Sequence, residues 1–79
     1  MKIDGKTIGM ELRALRIKKG LSVEEVCKNI NIDRSTLYKC ERDANKMRLG
    51  ILEQLLNFYG IDTFIFFKMI SEYMHMKEE

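Results

Sequence analysis

Cysteine and histidine are the side chains in this sequence that could carry thiol or metal chemistry. The chain has 79 residues, with two cysteines, Cys27 and Cys40, and a single histidine, His75, near its end. A structural metal site usually needs four such ligands close together. We therefore expect the two cysteines to be small buried hydrophobic side chains, not metal ligands, disulfide partners or reactive thiols. No metal or other cofactor is expected.

Enzymes and membrane proteins are both disfavoured by the sequence. It shows no Ser/His/Asp or Cys/His set and no phosphate-binding loop, and nothing in it implies a small-molecule ligand. The most apolar stretch, FYGIDTFIFFKMISEYM, is interrupted by Asp62, Lys68 and Glu72, so we do not expect it to cross a bilayer. The first residues, MKIDGKTIG, lack the apolar segment of a secretory signal, which makes the cytoplasm the expected location.

Charge is divided unevenly along the chain. Residues 1–48 contain 12 Lys and Arg against 7 Asp and Glu, a net charge of +5. Residues 49–79 contain 2 Lys and Arg against 5 Asp and Glu, a net charge of −3. A basic first part and an acidic second part favour a polyanion as the partner of the first part. The alternative is a chance fluctuation of charge in a small protein, and charge alone does not decide between the two.

Helices must position these charged side chains. Proline is absent, whereas Leu, Ile, Lys, Glu and Met are abundant, and this composition favours an all-α fold. A chain of this length makes one small domain, here residues 1–79. The apolar periodicity predicts five helices, at about residues 8–19, 22–30, 33–42, 49–59 and 62–76.

Short polar side chains mark where the helices begin and where the chain turns. Ser22, followed three residues later by Glu25, matches a capping box at the start of the second helix. Asp33 and Asp62 can cap the third and fifth helices. Asn31 lies where the chain must turn sharply, and asparagine tolerates the left-handed backbone conformation that suits such a turn. Residues 22–42 are therefore predicted to form two helices that cross steeply through a tight turn.

The chain resembles a known family over most of its length. Residues 8–61 are similar, without an apparent gap, to the helix-turn-helix domain of the Cro/C1 repressors, also called the XRE family. The resemblance implies a five-helix, lambda repressor-like all-α fold, sequence-specific DNA binding, and a structural salt bridge between Arg16 and Glu41. The matching motifs are Leu12, Leu15 and Arg16; Gly20-Leu21-Ser22; Glu25-Val26; Asn31-Ile32-Asp33; Arg34-Ser35-Thr36-Leu37; Glu41-Arg42; and Tyr59-Gly60-Ile61.

The third helix supplies the predicted DNA-reading surface. With Leu37 and Cys40 facing inward, the i, i+4 spacing places the other polar side chains on one outer face. Such a helix fits the major groove of B-DNA with its N-terminal residues at base edges, where an arginine can bond guanine O6 and N7 together. The predicted base-reading residues are Arg34, Ser35, Tyr38 and Lys39. The predicted phosphate contacts, which position the protein without reading sequence, are Lys18, Lys19, Lys28, Thr36, Arg42, Asn45, Lys46 and Arg48.

Two positions depart from the pattern of the family. Val23 stands where members often have a glutamine that binds a phosphate, so this contact is not expected here. Asp43 stands where a glycine usually follows Glu41-Arg42. We therefore expect the chain to leave the third helix in a longer or differently shaped path.

The last helix carries more apolar side chains than one core can cover. They wrap almost around it, so one stripe stays exposed unless a partner covers it. A two-fold dimer through this helix and part of the fourth helix is the simplest solution, and it would present two recognition helices to successive major grooves. The alternative is that the last helix only completes the core. The predicted interface residues are Phe64, Ile65, Phe66, Phe67, Met69, Ile70 and Tyr73.

The sequence therefore predicts a homodimeric transcriptional regulator that binds a palindromic operator in double-stranded DNA. Small phage repressors and the controller proteins of restriction–modification systems are the regulators that the chain resembles. The controllers share the Ile-Asp-Arg-Ser sequence with which its third helix begins and the Phe-Phe pair in its last helix. A controller that activates transcription would also touch RNA polymerase. The competing class is a protein-binding module, either the antitoxin of a toxin–antitoxin pair or an adaptor that keeps the fold.

Overall fold

Five α-helices make up the chain in the computed structural model, which describes residues 3–77 and the side chains of residues 3–73. The predicted all-α fold is confirmed. No helix among the described residues is long and apolar enough to cross a lipid bilayer. The helices are α1 (Gly5–Lys18), α2 (Val23–Ile30), α3 (Arg34–Arg42), α4 (Leu49–Tyr59) and α5 (Thr63–Lys77), with a 3₁₀ turn, Ala44–Lys46, between α3 and α4.

Side-chain caps fix where most of the helices begin. The hydroxyl of Ser22 accepts a hydrogen bond from the backbone N–H of Glu25 (3.1 Å), and the Glu25 carboxylate accepts one from the N–H of Ser22 (3.2 Å). This is the predicted capping box. Asp33 caps α3 and Asp62 caps α5, also as predicted. An additional cap at Asp4 explains why α1 begins earlier than its apolar periodicity indicated.

The turn between α2 and α3 depends on Asn31. Its backbone is left-handed, with φ 57° and ψ 53°, as the sequence predicted. The carbonyl of Cys27 accepts hydrogen bonds from the N–H groups of both Asn31 and Ile32, the latter at 3.2 Å. These bonds satisfy the open end of α2 and redirect the chain within three residues into the cap of α3.

The core lies between α1, α3, α4 and α5, with α2 packed on α3 and α4. Each fully buried leucine there contributes about 2 kcal/mol through removal of apolar surface from water. Tyr59 is 1% exposed, and burial raises the pKa of its phenol, which stays neutral in the core. The buried core residues are Leu12, Val26, Leu37, Leu52, Leu55, Leu56, Tyr59, Phe66 and Ile70.

A largely buried ion pair joins α1 to α3. Arg16 donates to both carboxylate oxygens of Glu41, from Nε to Oε2 (2.7 Å) and from Nη2 to Oε1 (3.2 Å). Arg16 Nη1 also donates to the carbonyl oxygen of Leu21 (3.0 Å), just before α2. The two charged side chains are only 12% and 5% exposed, and the hydrogen bond to Glu41 raises the pKa of Arg16. The structure thus confirms the Arg16–Glu41 bridge and shows that it also holds the start of α2.

α1 approaches the backbone of α3 closely at Gly9. A Cβ at this position would lie 2.6 Å from the carbonyl oxygens of Cys40 and Glu41, which is shorter than any ordinary contact. Glycine is therefore the residue that lets the two helices meet at this distance. The close contact sets the position of the second half of α3 relative to α1.

α5 places its apolar side chains on two faces with different roles. Phe66 and Ile70 are 2% and 1% exposed and belong to the core of the domain itself. Assigning them to a dimer interface was therefore wrong, because these i, i+4 positions face α1 and the core instead of solvent. Phe67 is half-buried and packs edge-on against Phe66, with ring centroids 5.4 Å apart. The exposed face consists of Phe64, Ile65, Met69 and Tyr73.

Substitution of Ile70 tests this division of α5. We expect Ile70→Ala to lower the free energy of unfolding by about 2–5 kcal/mol, because it leaves a cavity in the core. The matched control is Ile65→Ala on the exposed face of the same helix, for which we expect a change within about 0.5 kcal/mol. Urea denaturation followed by circular dichroism, at a concentration where sedimentation shows monomers, measures both. Equal losses in the two variants would contradict the assignment.

The buried ion pair can be tested against an exposed one. Glu41→Gln should lower the free energy of unfolding by about 3 kcal/mol, since it leaves the largely buried guanidinium of Arg16 without a countercharge. Glu24→Gln removes the partner of an exposed ion pair with Arg34 and should change stability by less than about 1 kcal/mol. Thermal and urea denaturation of the two variants gives the comparison. If Glu41→Gln proved as stable as Glu24→Gln, the pair would not hold the helices together.

Candidate nucleic-acid interface

The outer face of α3 displays the four predicted base-reading side chains. Leu37 and Cys40 are 0% and 5% exposed and anchor the inner face of the helix. Arg34, Ser35, Tyr38 and Lys39 are all exposed on the opposite side. The i, i+4 spacing predicted this arrangement, because two buried positions three residues apart fix the rotation of a short helix.

The N-terminus of α3 is held by Asp33. The Asp33 carboxylate accepts a hydrogen bond from the backbone N–H of Thr36 (2.8 Å) and one from the hydroxyl of Ser35 (3.3 Å). The hydrogen bonds from Thr36 are the main reason that the pKa of Asp33 is lowered. A lowered pKa in the folded state means that this cap stabilises the fold above the ordinary pKa of aspartate, and that the contribution is lost as the pH falls through the lowered value. At neutral pH the first turn of α3 is therefore firmly capped.

Arg34 forms an ion pair that the sequence did not reveal. Its Nη2 donates to Oε1 of Glu24, in the first turn of α2. Both side chains are largely exposed, 61% and 73%, so the pair adds little to stability. The guanidinium is consequently held at the N-terminus of α3 by a bond that it can exchange for another acceptor at small cost. Only the three-dimensional crossing of α2 and α3 brings these two positions together.

A groove beside α3 gathers several of the predicted phosphate contacts. It has a volume of about 490 Å³ and runs between α3, the 3₁₀ turn and the start of α4. A smaller depression of about 270 Å³ adjoins it at the C-terminal end of α3. Asp33 and Asp43 also line the groove, so its charge is mixed. The predicted DNA contacts that line one or both are Thr36, Lys39, Arg42, Asn45, Lys46 and Arg48.

Three predicted phosphate contacts lie away from this groove. Lys18 ends α1, Lys19 is its C-cap, and Lys28 is in the last turn of α2. All three are exposed. Their position at helix C-termini, where a positive charge opposes the negative end of the helix dipole, also gives them a stabilising role of about 0.3–1 kcal/mol each. The structure therefore gathers some of the predicted contacts into one surface and leaves these three outside it.

The start of α4 differs from the starts of the other helices. Its N-cap residue, Arg48, makes no side-chain cap, whereas α1, α2, α3 and α5 each begin with an Asp or Ser cap. The free N–H groups of such an end carry a partial positive charge. Lys46 and Arg48 flank it on the groove side. This combination of main-chain and side-chain donors suits an anionic oxygen, and only the two basic residues indicated it at the level of sequence.

Neither cysteine forms a disulfide, and both lie between the start of α2 and the end of α3. Cys40 is buried and Cys27 is half-buried, and burial raises the pKa of both thiols. The thiols are therefore protonated at neutral pH and pack as small apolar groups. Among the described residues, no group of three or more His, Cys, Asp and Glu side chains could hold a metal ion. The side chain of His75 lies outside the described residues.

Comparisons with solved structures show how widely this fold is shared. The wild-type restriction-modification controller protein C.Esp1396I matches with a TM-score of 0.82 and 20% identity, over 95% of this chain and 96% of that one. The clp gene regulator ClgR from Corynebacterium glutamicum matches with a TM-score of 0.83 and 17% identity, over 98% of this chain and 82% of that one. At these identities the likeness shows the fold alone.

Sequence comparison relates the chain to a longer protein and to a family. A protein of Pyrobaculum aerophilum named "Putative HTH-type transcriptional regulatory protein PAE1627" is 39% identical over 54 residues. The match covers 68% of this chain but only 22% of that protein, so the chain spans about a fifth of its relative's length. The family profile described as "Helix-turn-helix domain" matches residues 7–63, which include α2, the Asn31 turn and α3. With this match over most of its length and with the corresponding fold, the chain belongs to the helix-turn-helix domain family.

Proposed function

We propose that this protein is a sequence-specific transcriptional regulator that binds double-stranded DNA through the outer face of α3. The observation that carries the proposal is the position of that face. α3 is anchored by Leu37, Cys40 and Glu41, all buried, while its basic and polar side chains point to solvent. A helix presented in this way can enter the major groove, which is wide enough to admit it. Residues 1–79 would act as one DNA-binding unit, with the helix-turn-helix at residues 22–42.

Base reading is assigned to the first half of α3. Arg34 at its start is suited to a guanine, whose O6 and N7 accept two hydrogen bonds from one guanidinium. Ser35 can donate or accept a hydrogen bond, and Tyr38 can pack against a thymine methyl group or bond a phosphate. Lys39 can reach a guanine or a phosphate from the next turn.

Glu24 competes with DNA for the guanidinium of Arg34. In the free protein the guanidinium of Arg34 is occupied by Glu24. A guanine edge that offers two acceptors replaces this bond, whereas a base without them leaves the ion pair in place. Glu24 should therefore reduce binding to incorrect sequences more than binding to the operator.

Phosphate contacts are assigned to the groove beside α3. Lys46, Arg48 and the uncapped start of α4 face one side of it, and Thr36 and Arg42 lie on α3. Contacts of this kind set the register of the protein on the duplex and supply most of the salt-dependent affinity. Lys18, Lys19 and Lys28 remain candidates for phosphate contact on the flanks.

The exposed face of α5 is assigned to a homodimer. Phe64, Ile65, Met69 and Tyr73 lie between 42% and 75% exposed, and Leu49 at the start of α4 is 68% exposed. Burial of such a patch against its symmetry-related copy removes apolar surface from water on both partners. A two-fold arrangement would place two α3 helices in successive major grooves, about 34 Å apart, on a palindromic operator.

Among regulators, a controller of a restriction–modification system is the class that we favour. The support is the resemblance to such controllers in the Ile-Asp-Arg-Ser sequence at the start of α3 and in the Phe-Phe pair of α5. The shared fold with the controller protein C.Esp1396I agrees with this choice but does not by itself distinguish it from other regulators. In this role the protein would regulate transcription through its own concentration, and RNA polymerase would be a further partner at any promoter that it activates.

Arg34→Ala should reduce discrimination at one base position by about 1–3 kcal/mol, because the variant can no longer form the bidentate bond to guanine. The operator is first obtained by selection from random duplexes, and binding to the operator and to single-base variants is then measured by fluorescence anisotropy. The charge-matched control is Arg13→Ala on α1, which should lower affinity for all sequences equally or not at all. Unchanged selectivity in Arg34→Ala would refute the role of this residue.

Met69→Glu should convert the dimer into a folded monomer, because it places a charge in the apolar interface. Affinity for a palindromic duplex should then fall by roughly 100-fold or more, since two linked half-sites are no longer bound together. Sedimentation equilibrium and DNA titration measure the two effects. The control is Met10→Glu, which alters another exposed methionine, on α1, and should leave both unchanged. A wild-type protein that stayed monomeric at high concentration would refute the dimer.

A further inference from the structure

The first turn of α1 lies directly against the 3₁₀ turn that follows α3. A Cβ on Gly5 would overlap the backbone nitrogen of Asn45 and the Oδ1 atom of Asp43, and would lie 2.8 Å from Asn45 Cα. Two of the three obstructing atoms belong to the backbone, which cannot move away by a change of rotamer. Gly5 is therefore required for α1 to contact the 3₁₀ turn at this distance.

Asp43 forms the other half of this contact. Its backbone is extended, with φ −160° and ψ 109°, so no glycine is needed where the chain leaves α3. Its N–H donates to the carbonyl of Lys39 (2.9 Å), and its Oδ1 accepts a hydrogen bond from the N–H of Asn45 (3.0 Å). The same residue thus ends α3, caps the 3₁₀ turn and occupies the space that Gly5 leaves open.

The contact fixes the direction of the residues that follow. Ala44 is 7% exposed and anchors the turn to the protein, whereas Asn45 and Lys46 are exposed and line the depression beside Arg42. A shift of the Asp43–Asn45 backbone would move Lys46 and the start of α4 with it. The position of these donors is consequently set by α1, which itself contributes no residue to either depression.

We propose that Gly5 and Asp43 are positioning residues that hold Asn45 and Lys46 in place for DNA phosphates. This inference rests on the proposed DNA-binding function and goes beyond it by assigning a role to α1. Neither residue touches the nucleic acid in this scheme. The number of phosphates that the protein neutralises is determined by the contact between α1 and the 3₁₀ turn.

Two substitutions of Asp43 separate positioning from charge. Asp43→Asn and Asp43→Ala both remove the negative charge, but only the asparagine keeps an oxygen that can accept from Asn45. We expect Asp43→Asn to keep the wild-type slope of log affinity against log salt. Asp43→Ala should reduce the steepness of the slope by about 1 for each phosphate that the protein no longer neutralises. Equal slopes in the two variants would overturn the proposal, because charge alone would then explain both.

Gly5→Ala provides an independent test, with Met10→Ala as its control. Met10 is exposed on the same helix and lines neither depression, so this variant should bind DNA as the wild type does. Gly5→Ala should give a shallower salt slope with unchanged preference among operator bases, which a general loss of folding would not produce. A wild-type salt slope in folded Gly5→Ala would count against the proposal. If Gly5→Ala does not fold, the comparison of Asp43→Asn with Asp43→Ala remains as the test. Failure of the wild-type protein to bind any selected duplex would instead refute the proposed function.

Discussion

The buried pair of Arg16 and Glu41 is the interaction on which the geometry of the candidate interface depends. It connects the end of α1 to the end of α3, and its third hydrogen bond, to the Leu21 carbonyl, reaches the start of α2. Because a partly buried charge without its partner is unfavourable, loss of either side chain would leave the other uncompensated. The crossing of α2 and α3 is therefore specified by electrostatics as well as by apolar packing.

Acidic side chains near the basic face of α3 form helix caps and an ion pair. Asp33 and Asp43 cap α3 and the 3₁₀ turn, and Glu24 pairs with Arg34. Each also weakens the attraction of this surface for a polyanion, so the surface is less basic than its lysines and arginines alone would make it. Binding that depends more on correctly placed contacts and less on net charge is a property that favours discrimination between sequences.

Local signals explain how much of this structure could be predicted from the sequence. The capping box at Ser22, the left-handed turn at Asn31 and the outer face of α3 were all predicted, because each depends on residues within one or two turns of each other. The sequence did not show which face of α5 enters the core, because apolar side chains surround that helix and no single apolar stripe stands out. The ion pair of Arg34 with Glu24 and the contact of Gly5 with Asp43 were also missed. Both arise from segments that are distant in sequence and meet only after the helices have packed.

The two-sided character of α5 has a consequence for how the protein would respond to its own abundance. Phe66 and Ile70 keep this helix attached to its own domain whether or not the opposite face is covered. If the protein forms the proposed dimer, a folded single copy would persist before pairing, and pairing on an operator would depend on the protein concentration. While monomers predominate, the occupancy of a two-fold site would rise with the square of the total protein concentration. Regulation of transcription would then begin late and increase steeply.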